Sequence, residues 1–266
     1  MAWWDRAVER FWPPRWLYAT YERGVLEHLD RAALPRHVAV LADGNRRWAR
    51  MNAPGEPLVA GYRAGAARLV EFVEWCDDAG LQVITLWVLS TENLYRSDAD
   101  ELTDLLGVID QLVADLAATG RWRVQAVGAL ELLPEDVAES LRRSSAATDG
   151  VEGMHVNVAI AYGGRMELRD AVRSLLAERA AEGATLEEVA QTLEIEEISQ
   201  HLYTKGQPDP DLIIRTSGEQ RLSGFLLWQS AHSEYYFCEA LWPDFRRVDF
   251  VRALRAYTQR ERRFGR

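Results

Sequence analysis

Short apolar runs alternate along the chain with longer stretches in which apolar residues recur every three to four positions. Residues 37–42 (HVAVLA) read as a buried strand. Residues 61–79 read as an amphipathic helix with Ala66, Leu69, Val70, Val73 and Cys76 on one face. A strand at 82–89 (QVITLWVL), a helix at 99–118, a strand at 122–127 and a helix at 135–147 follow. A strand at 154–160 then leads into a helix at 165–180. Residues 211–214 (DLII) and 224–229 (GFLLWQ) read as late, fully buried strands, and a helix at 248–263 closes the pattern. Near-continuously apolar strands between amphipathic helices predict an α/β fold: one domain with a mostly parallel central sheet flanked by helices.

Polar residues with chemical potential cluster just behind four of these strands. Asp43-Gly44-Asn45 follows the first and Ser90-Thr91-Glu92-Asn93 the second. Tyr162-Gly163-Gly164-Arg165 and Arg215-Thr216-Ser217-Gly218 follow two later ones. The carboxyl ends of strands in an open parallel sheet border the ligand crevice, so four such strings predict one shared site. Asp43-Gly44-Asn45-Arg46-Arg47 joins a glycine, helix-start N–H groups and two cations. That suits a diphosphate, with Asp43 able to hold a divalent cation beside it. The same string also suits a capped turn between strand and helix. Arg215 and Arg221, with hydroxyls around Gly218, form a second candidate anion cradle or else a salt-bridged loop.

Composition removes several classes of function. Of 266 residues, 31 are Lys or Arg and 41 are Asp or Glu, a net charge of −10 that disfavours nucleic-acid binding. Two cysteines, Cys76 and Cys238, make neither a disulfide framework nor a zinc site, which fits a cytoplasmic setting. There is no GxGxxG behind the first strand, no P-loop, no GxSxG and no HExxH. The charge is unevenly spread. Residues 246–266 hold eight arginines against Asp249 and Glu261, a basic tail on an acidic body. Residues 1–36 form a Trp-rich, helical segment (Trp3, Trp4, Trp12, Trp16) that suits either docking on the core or peripheral membrane contact.

The ordered strings resemble the cis-prenyltransferases, the undecaprenyl diphosphate synthase family. His37-Val-Ala-Val-Leu-Ala-Asp43-Gly-Asn-Arg-Arg-Trp48-Ala resembles the family's first signature, Ser90-Thr-Glu-Asn93 its second and Asn157-Val-Ala-Ile-Ala-Tyr-Gly-Gly-Arg165 its third. The run from Asp209 through Arg215, Arg221, Leu222 and Ser223 to Glu234 resembles its last, and Arg263-Phe264-Gly265 its C-terminal motif. The resemblance spans roughly residues 37–265. It implies Mg²⁺-dependent condensation of isopentenyl diphosphate with an allylic diphosphate, in a homodimer whose apolar tunnel holds the growing chain.

Residue by residue, the resemblance implies that Asp43 holds Mg²⁺ and aids departure of the allylic diphosphate. Gly44, Asn45, Arg46, Arg47, Trp48, Tyr62 and Arg96 would surround that diphosphate. Ser90, Thr91 and Glu92 would accompany Asn93, the group implied for proton abstraction. Arg215, Arg221, Leu222 and Ser223 would bind isopentenyl diphosphate. Glu234 would assist the metal across a dimer contact, and Arg263 and Gly265 would reach into the partner subunit's site. The chain departs from the family pattern at Arg46, Leu58, Tyr62, Leu94 and Gln220. Val88 stands where long-chain members commonly carry Ala, and its extra methyl groups narrow a tunnel wall. Arg46, Leu94 and Val88 together resemble the actinobacterial short-chain subgroup. The expected product is therefore (2Z,6E)-farnesyl diphosphate made from geranyl diphosphate. The rival expectations are a long-chain polyprenyl diphosphate synthase and a non-catalytic partner subunit.

Overall fold

The structure, a computed structural model, describes residues 31–96 and 98–260, with the Arg96 side chain excepted. The expected Trp-rich helical segment therefore lies almost wholly outside the described residues, as do Arg263 and Gly265. Pro35–Asp244 forms one compact unit, and the residues from Phe245 onward group apart from it.

The first unit is built on a six-stranded parallel sheet: β1 (His37–Leu41), β2 (Val83–Trp87), β3 (Arg123–Val127), β4 (His155–Ala159), β5 (Leu212–Arg215) and β6 (Glu234–Phe237). Their spatial order is β3-β4-β2-β1-β5-β6. Strand β1 is buried at all five positions, as a central strand covered on both faces must be. The helices between strands are α1 (Asn45–Asn52), α2 (Val59–Asp78), α3 (Thr91–Arg96), α4 (Ala99–Ala118), α5 (Glu135–Ala146), α6 (Gly164–Ala181), α7 (Leu186–Thr192) and α8 (Ile195–Ser199). The α/β alternation inferred from hydrophobic periodicity matches this sheet and its flanking helices. Among the described residues, no helix is long and apolar enough to cross a membrane.

Three expectations fail locally. Residues 224–229 form a run of turns that ends in a short 3-10 helix, not a strand. Ser223, Gly224 and Leu226 have positive φ (52°, 86° and 46°), so the chain folds back tightly, and Phe225 and Leu226 are buried as a packed turn. The last strand is instead β6, short and only partly buried at the sheet edge. Finally, the closing helix α9 runs over Arg247–Thr258 and is followed by non-helical Gln259 and Arg260; the remainder of the expected span, 261–263, lies outside the described residues. In that second unit the Asp249 carboxylate accepts from the Arg246 N–H at 3.1 Å, which caps the helix start.

Register decides where the site forms. Leu41 pairs with both Trp87 and Arg215, so the carboxyl ends of β1, β2 and β5 are level. From β1 the chain crosses toward β2, whereas from β5 it continues toward β6. The connections of these two neighbours diverge, and a crevice opens at their carboxyl ends.

Candidate active site

Strand β1 delivers Asp43 into this crevice. The Asp43 N–H donates to the Thr216 hydroxyl at 3.0 Å, and that hydroxyl donates to the Asp43 carbonyl at 2.8 Å. Gly44 then turns the chain into α1 with φ of 115°, open to glycine and strained for other residues. A Cβ there would also lie 3.0 Å from Leu241 Cα. Helix α1 thus starts at the crevice, and its first turn offers N–H groups without intrahelical acceptors.

Strand β5 delivers Arg215, whose side chain is only 5% exposed. Its Nη2 donates to Asp43 Oδ2 at 3.0 Å and its Nη1 to Ser223 Oγ at 3.0 Å and to the Arg221 carbonyl. The fork therefore ties the first and last sequence strings together across 172 residues. The turn carrying Ser223 is held from below by a buried carboxylate. Glu167 accepts from the Tyr162 hydroxyl at 2.5 Å, the Tyr203 N–H at 3.0 Å and Gln229 Nε2 at 3.0 Å. The Tyr162 hydroxyl in turn accepts from the Leu226 N–H at 3.2 Å. Burial pushes the Glu167 carboxyl above its usual range, and the bonds from Tyr162, Tyr203 and Gln229 offset only part of that rise.

The second string starts α3. Ser90 pairs with Tyr162 beyond the ends of their strands, and the Ser90 hydroxyl accepts from the Asn93 N–H at 3.1 Å. On the opposite wall, Arg47 donates to the Ser217 carbonyl at 3.3 Å, and Arg46 donates through Nε to the Tyr62 hydroxyl at 2.9 Å.

These groups line a cavity of about 650 Å³, within the roughly 300–1,000 Å³ of pockets that hold one small ligand. Its polar side carries Asp43, Gly44, Asn45, Arg46, Arg47, Tyr62, Ser90, Glu92, Asn93, Arg215, Arg221 and Ser223. Its apolar side carries Leu41, Trp87, Val88, Leu89 and Leu105, with Trp87 stacked on Phe225 at 4.9 Å between ring centres. Asn45 Oδ1, Trp87 Nε1, Arg215 Nε and Ser217 Oγ, at or beside this cavity, are buried without a hydrogen-bond partner.

Other expected site residues lie elsewhere. Trp48 is turned to Asp244, donating from Nε1 at 2.9 Å. Thr91 is buried, its N–H donating to the Tyr162 carbonyl at 3.1 Å. Leu222 packs against the core cluster that Tyr162 and Phe225 share. Glu234 begins β6 opposite Leu212, at the far end of β5 from Arg215. Three residues of strand put it roughly 10 Å away along the sheet, so one chain does not bring it to Asp43. Arg50, Trp87, Leu89 and Leu105 line the cavity without having been foreseen. Arg50 had a signal, since it lies one helical turn beyond Arg46 and Arg47.

The donor set suits a hard divalent cation shared with a ligand. Asp43 is a single carboxylate, with its side chain 40% exposed at the cavity. Among the described residues no group of three or more His, Cys, Asp or Glu is placed to hold a metal ion. An ion such as Mg²⁺ binds through one or two carboxylates together with substrate phosphates, and Asp43 in a cavity also lined by Arg46, Arg47, Arg215 and Arg221 fits that mode.

Residues 41–265 match the family model described as "Putative undecaprenyl diphosphate synthase". The chain belongs to the undecaprenyl diphosphate synthase family. It is 56% identical over 249 residues to a (2Z,6E)-farnesyl diphosphate synthase of Thermobifida fusca, covering 94% of this chain and 97% of that one. It is 54% identical over 259 residues to a short-chain Z-isoprenyl diphosphate synthase of Mycobacterium leprae, covering 95% and 98%. Its structure resembles that of lavandulyl diphosphate synthase from Lavandula x intermedia solved with dimethylallyl diphosphate. That match has a TM-score of 0.80 and 31% identity, over 88% of this chain and all of the other.

Proposed function

We propose that the enzyme condenses isopentenyl diphosphate with geranyl diphosphate to give (2Z,6E)-farnesyl diphosphate and pyrophosphate. One observation carries this reading: Arg46, Arg47, Arg215 and Arg221 line one cavity together with Asp43 and the apolar Trp87, Val88, Leu89 and Leu105. Arg46, Arg47 and the α1 start receive the allylic diphosphate, and Arg215, Arg221 and Ser223 receive isopentenyl diphosphate. Negative charge grows on the departing diphosphate. Donors already in place bind that transition state more tightly than the ground state. Asp43 would hold Mg²⁺ together with the diphosphate, and the ion would supply charge neutralisation to the leaving group. Asn93 stands at the cavity, where its amide would orient the proton lost on forming the Z double bond toward the departing diphosphate, which accepts it.

Relatives named (2Z,6E)-farnesyl diphosphate synthase favour the fifteen-carbon product, as does a cavity of about 650 Å³ walled by Val88 and Leu105. A homodimer in which Glu234, Arg263 and Gly265 serve the partner subunit's site, with an apolar tunnel below the cavity, completes the proposal. So does a cytoplasmic location, with peripheral membrane contact left to the N-terminal segment. The test is incubation with Mg²⁺, labelled isopentenyl diphosphate and either geranyl or farnesyl diphosphate, followed by sizing of the products. One fifteen-carbon Z product from geranyl diphosphate supports the reading. A ladder of tens of carbons would replace it with long-chain synthesis, and no turnover with either primer would favour a non-catalytic subunit.

A further inference from the structure

Side chains from three helices meet at the cavity wall. Arg46 Nε on α1 lies 2.9 Å from the Tyr62 hydroxyl on α2 and 2.8 Å from Glu101 Oε1 on α4. The Tyr62 hydroxyl donates to the same Glu101 oxygen. The Glu101 side chain is 14% exposed, which shields this cluster from the screening that weakens surface pairs. Burial, reinforced by the Glu101 carboxylate, pushes the Tyr62 hydroxyl up to about 12, so it stays protonated and donating at neutral pH. Arg46 and Tyr62 line the cavity, whereas Glu101 stands behind them.

Glu101 occupies the first turn of α4, where Asp98 caps the helix by accepting from the Glu101 N–H at 2.8 Å. One turn further, Leu105 lines the apolar side of the cavity. Residues four apart share a helix face. The carboxylate that grips Arg46 and the leucine that bounds the hydrocarbon therefore ride on one rigid element.

We propose that Glu101 is a positioning residue for the allylic substrate, holding Arg46 and Tyr62 so that the diphosphate-binding loop and the apolar wall of α4 keep a fixed separation. Leaving-group binding and hydrocarbon placement are then coupled through one carboxylate. This inference rests on the prenyl-transfer reading above. A merely structural Glu101 would lower stability and leave the balance between the two substrates unchanged.

The experiment compares Glu101→Ala and Glu101→Gln with wild type in steady-state kinetics for geranyl and isopentenyl diphosphate, with product sizing. Glu101→Gln keeps an acceptor for Tyr62 but loses the charge, and it carries the test if Glu101→Ala fails to fold. The expected result is a KM for geranyl diphosphate raised about 10-fold in Glu101→Ala, typical of a lost charge-assisted hydrogen bond, with a smaller rise in Glu101→Gln. The KM for isopentenyl diphosphate stays within about twofold, and products longer than those of wild type appear. Equal rises in both KM values, no rise, a fall for geranyl diphosphate, or a selective rise with unchanged products would each overturn the inference. Wild type without turnover would sink the prenyl-transfer reading and this inference together. An active wild type with unaltered variants sinks the inference alone.

Discussion

Glycine inside a helix costs up to about 1 kcal/mol relative to alanine, so each helical glycine asks for a reason. In α2 the reason is contact with α1. A Cβ on Gly61 would lie 2.3 Å from the Asn45 carbonyl oxygen and 2.9 Å from Ala49 Cβ. A Cβ on Gly65 would lie 2.3 Å from Asn45 Oδ1. At Gly61 the obstruction is backbone, so relief requires α1 and α2 to move apart. Gly107, exposed within α4, has nothing within 4 Å of the place a Cβ would take. The same change should therefore have opposite signs at the two sites. Gly107→Ala should stabilise by about 0.5–1 kcal/mol, the propensity gain alone. Gly61→Ala gains no more than that and, because the obstruction is backbone, incurs the upper part of the overpacking range, about 2–3 kcal/mol, a net loss of roughly 1–2 kcal/mol. Urea unfolding followed by tryptophan fluorescence would measure both, since midpoint shifts at constant slope report stability directly. Because Asn45 begins the loop proposed to bind the diphosphate, Gly61→Ala should also raise the KM for the allylic diphosphate. Gly61→Ala that is as stable as Gly107→Ala, with an unchanged KM, would refute the reasoning.

Three further outcomes follow from the same geometry. Arg215→Lys removes a fork that serves Asp43 and Ser223 at once. Losing about two charge-assisted hydrogen bonds should lower kcat/KM roughly 100-fold or more, and a loss under tenfold in steady-state kinetics would contradict that role. Val88→Ala takes two methyl groups from the cavity wall and should lengthen the products, as chromatography of the dephosphorylated chains would reveal. His37 is buried between Thr85 Oγ1 at 2.9 Å and the Pro208 carbonyl at 2.7 Å, and burial lowers its pKa to about 4. The unfolded chain therefore binds this proton more readily than the folded one. Stability should be full above about pH 6.5 and fall by roughly 3 kcal/mol as pH drops toward 4. A His37→Gln variant with the same acid sensitivity as wild type in pH-dependent unfolding would remove His37 as the cause.

The alternation of strands and helices could be read from the chain because each element carries its own record of burial. Val38, Val40 and Leu41 announce a central strand, and the apolar face containing Leu69, Val73 and Cys76 announces a helix. The strings behind the strands were legible for the same reason: Asp43 and Arg215 stand where strands end, whatever the strand order. Burial alone does not specify backbone shape, however. Phe225 and Leu226 are as buried as any strand residue, yet they belong to a turn whose φ values depend on the Tyr162–Glu167 network beneath it. The partly buried edge strand β6 carries too little apolar pattern to declare itself. Contacts between distant segments leave no local trace at all. Spacing along the chain did not say that Glu101 would grip Arg46 and Tyr62, or that Glu234 would sit at the wrong end of β5 to meet Asp43 within one chain. The sequence by itself determined the elements and the chemical groups at their ends, because both follow from short-range periodicity. Only the tertiary structure decided which of those groups share a cavity, because strand order and register join residues as far apart as Asp43 and Arg215.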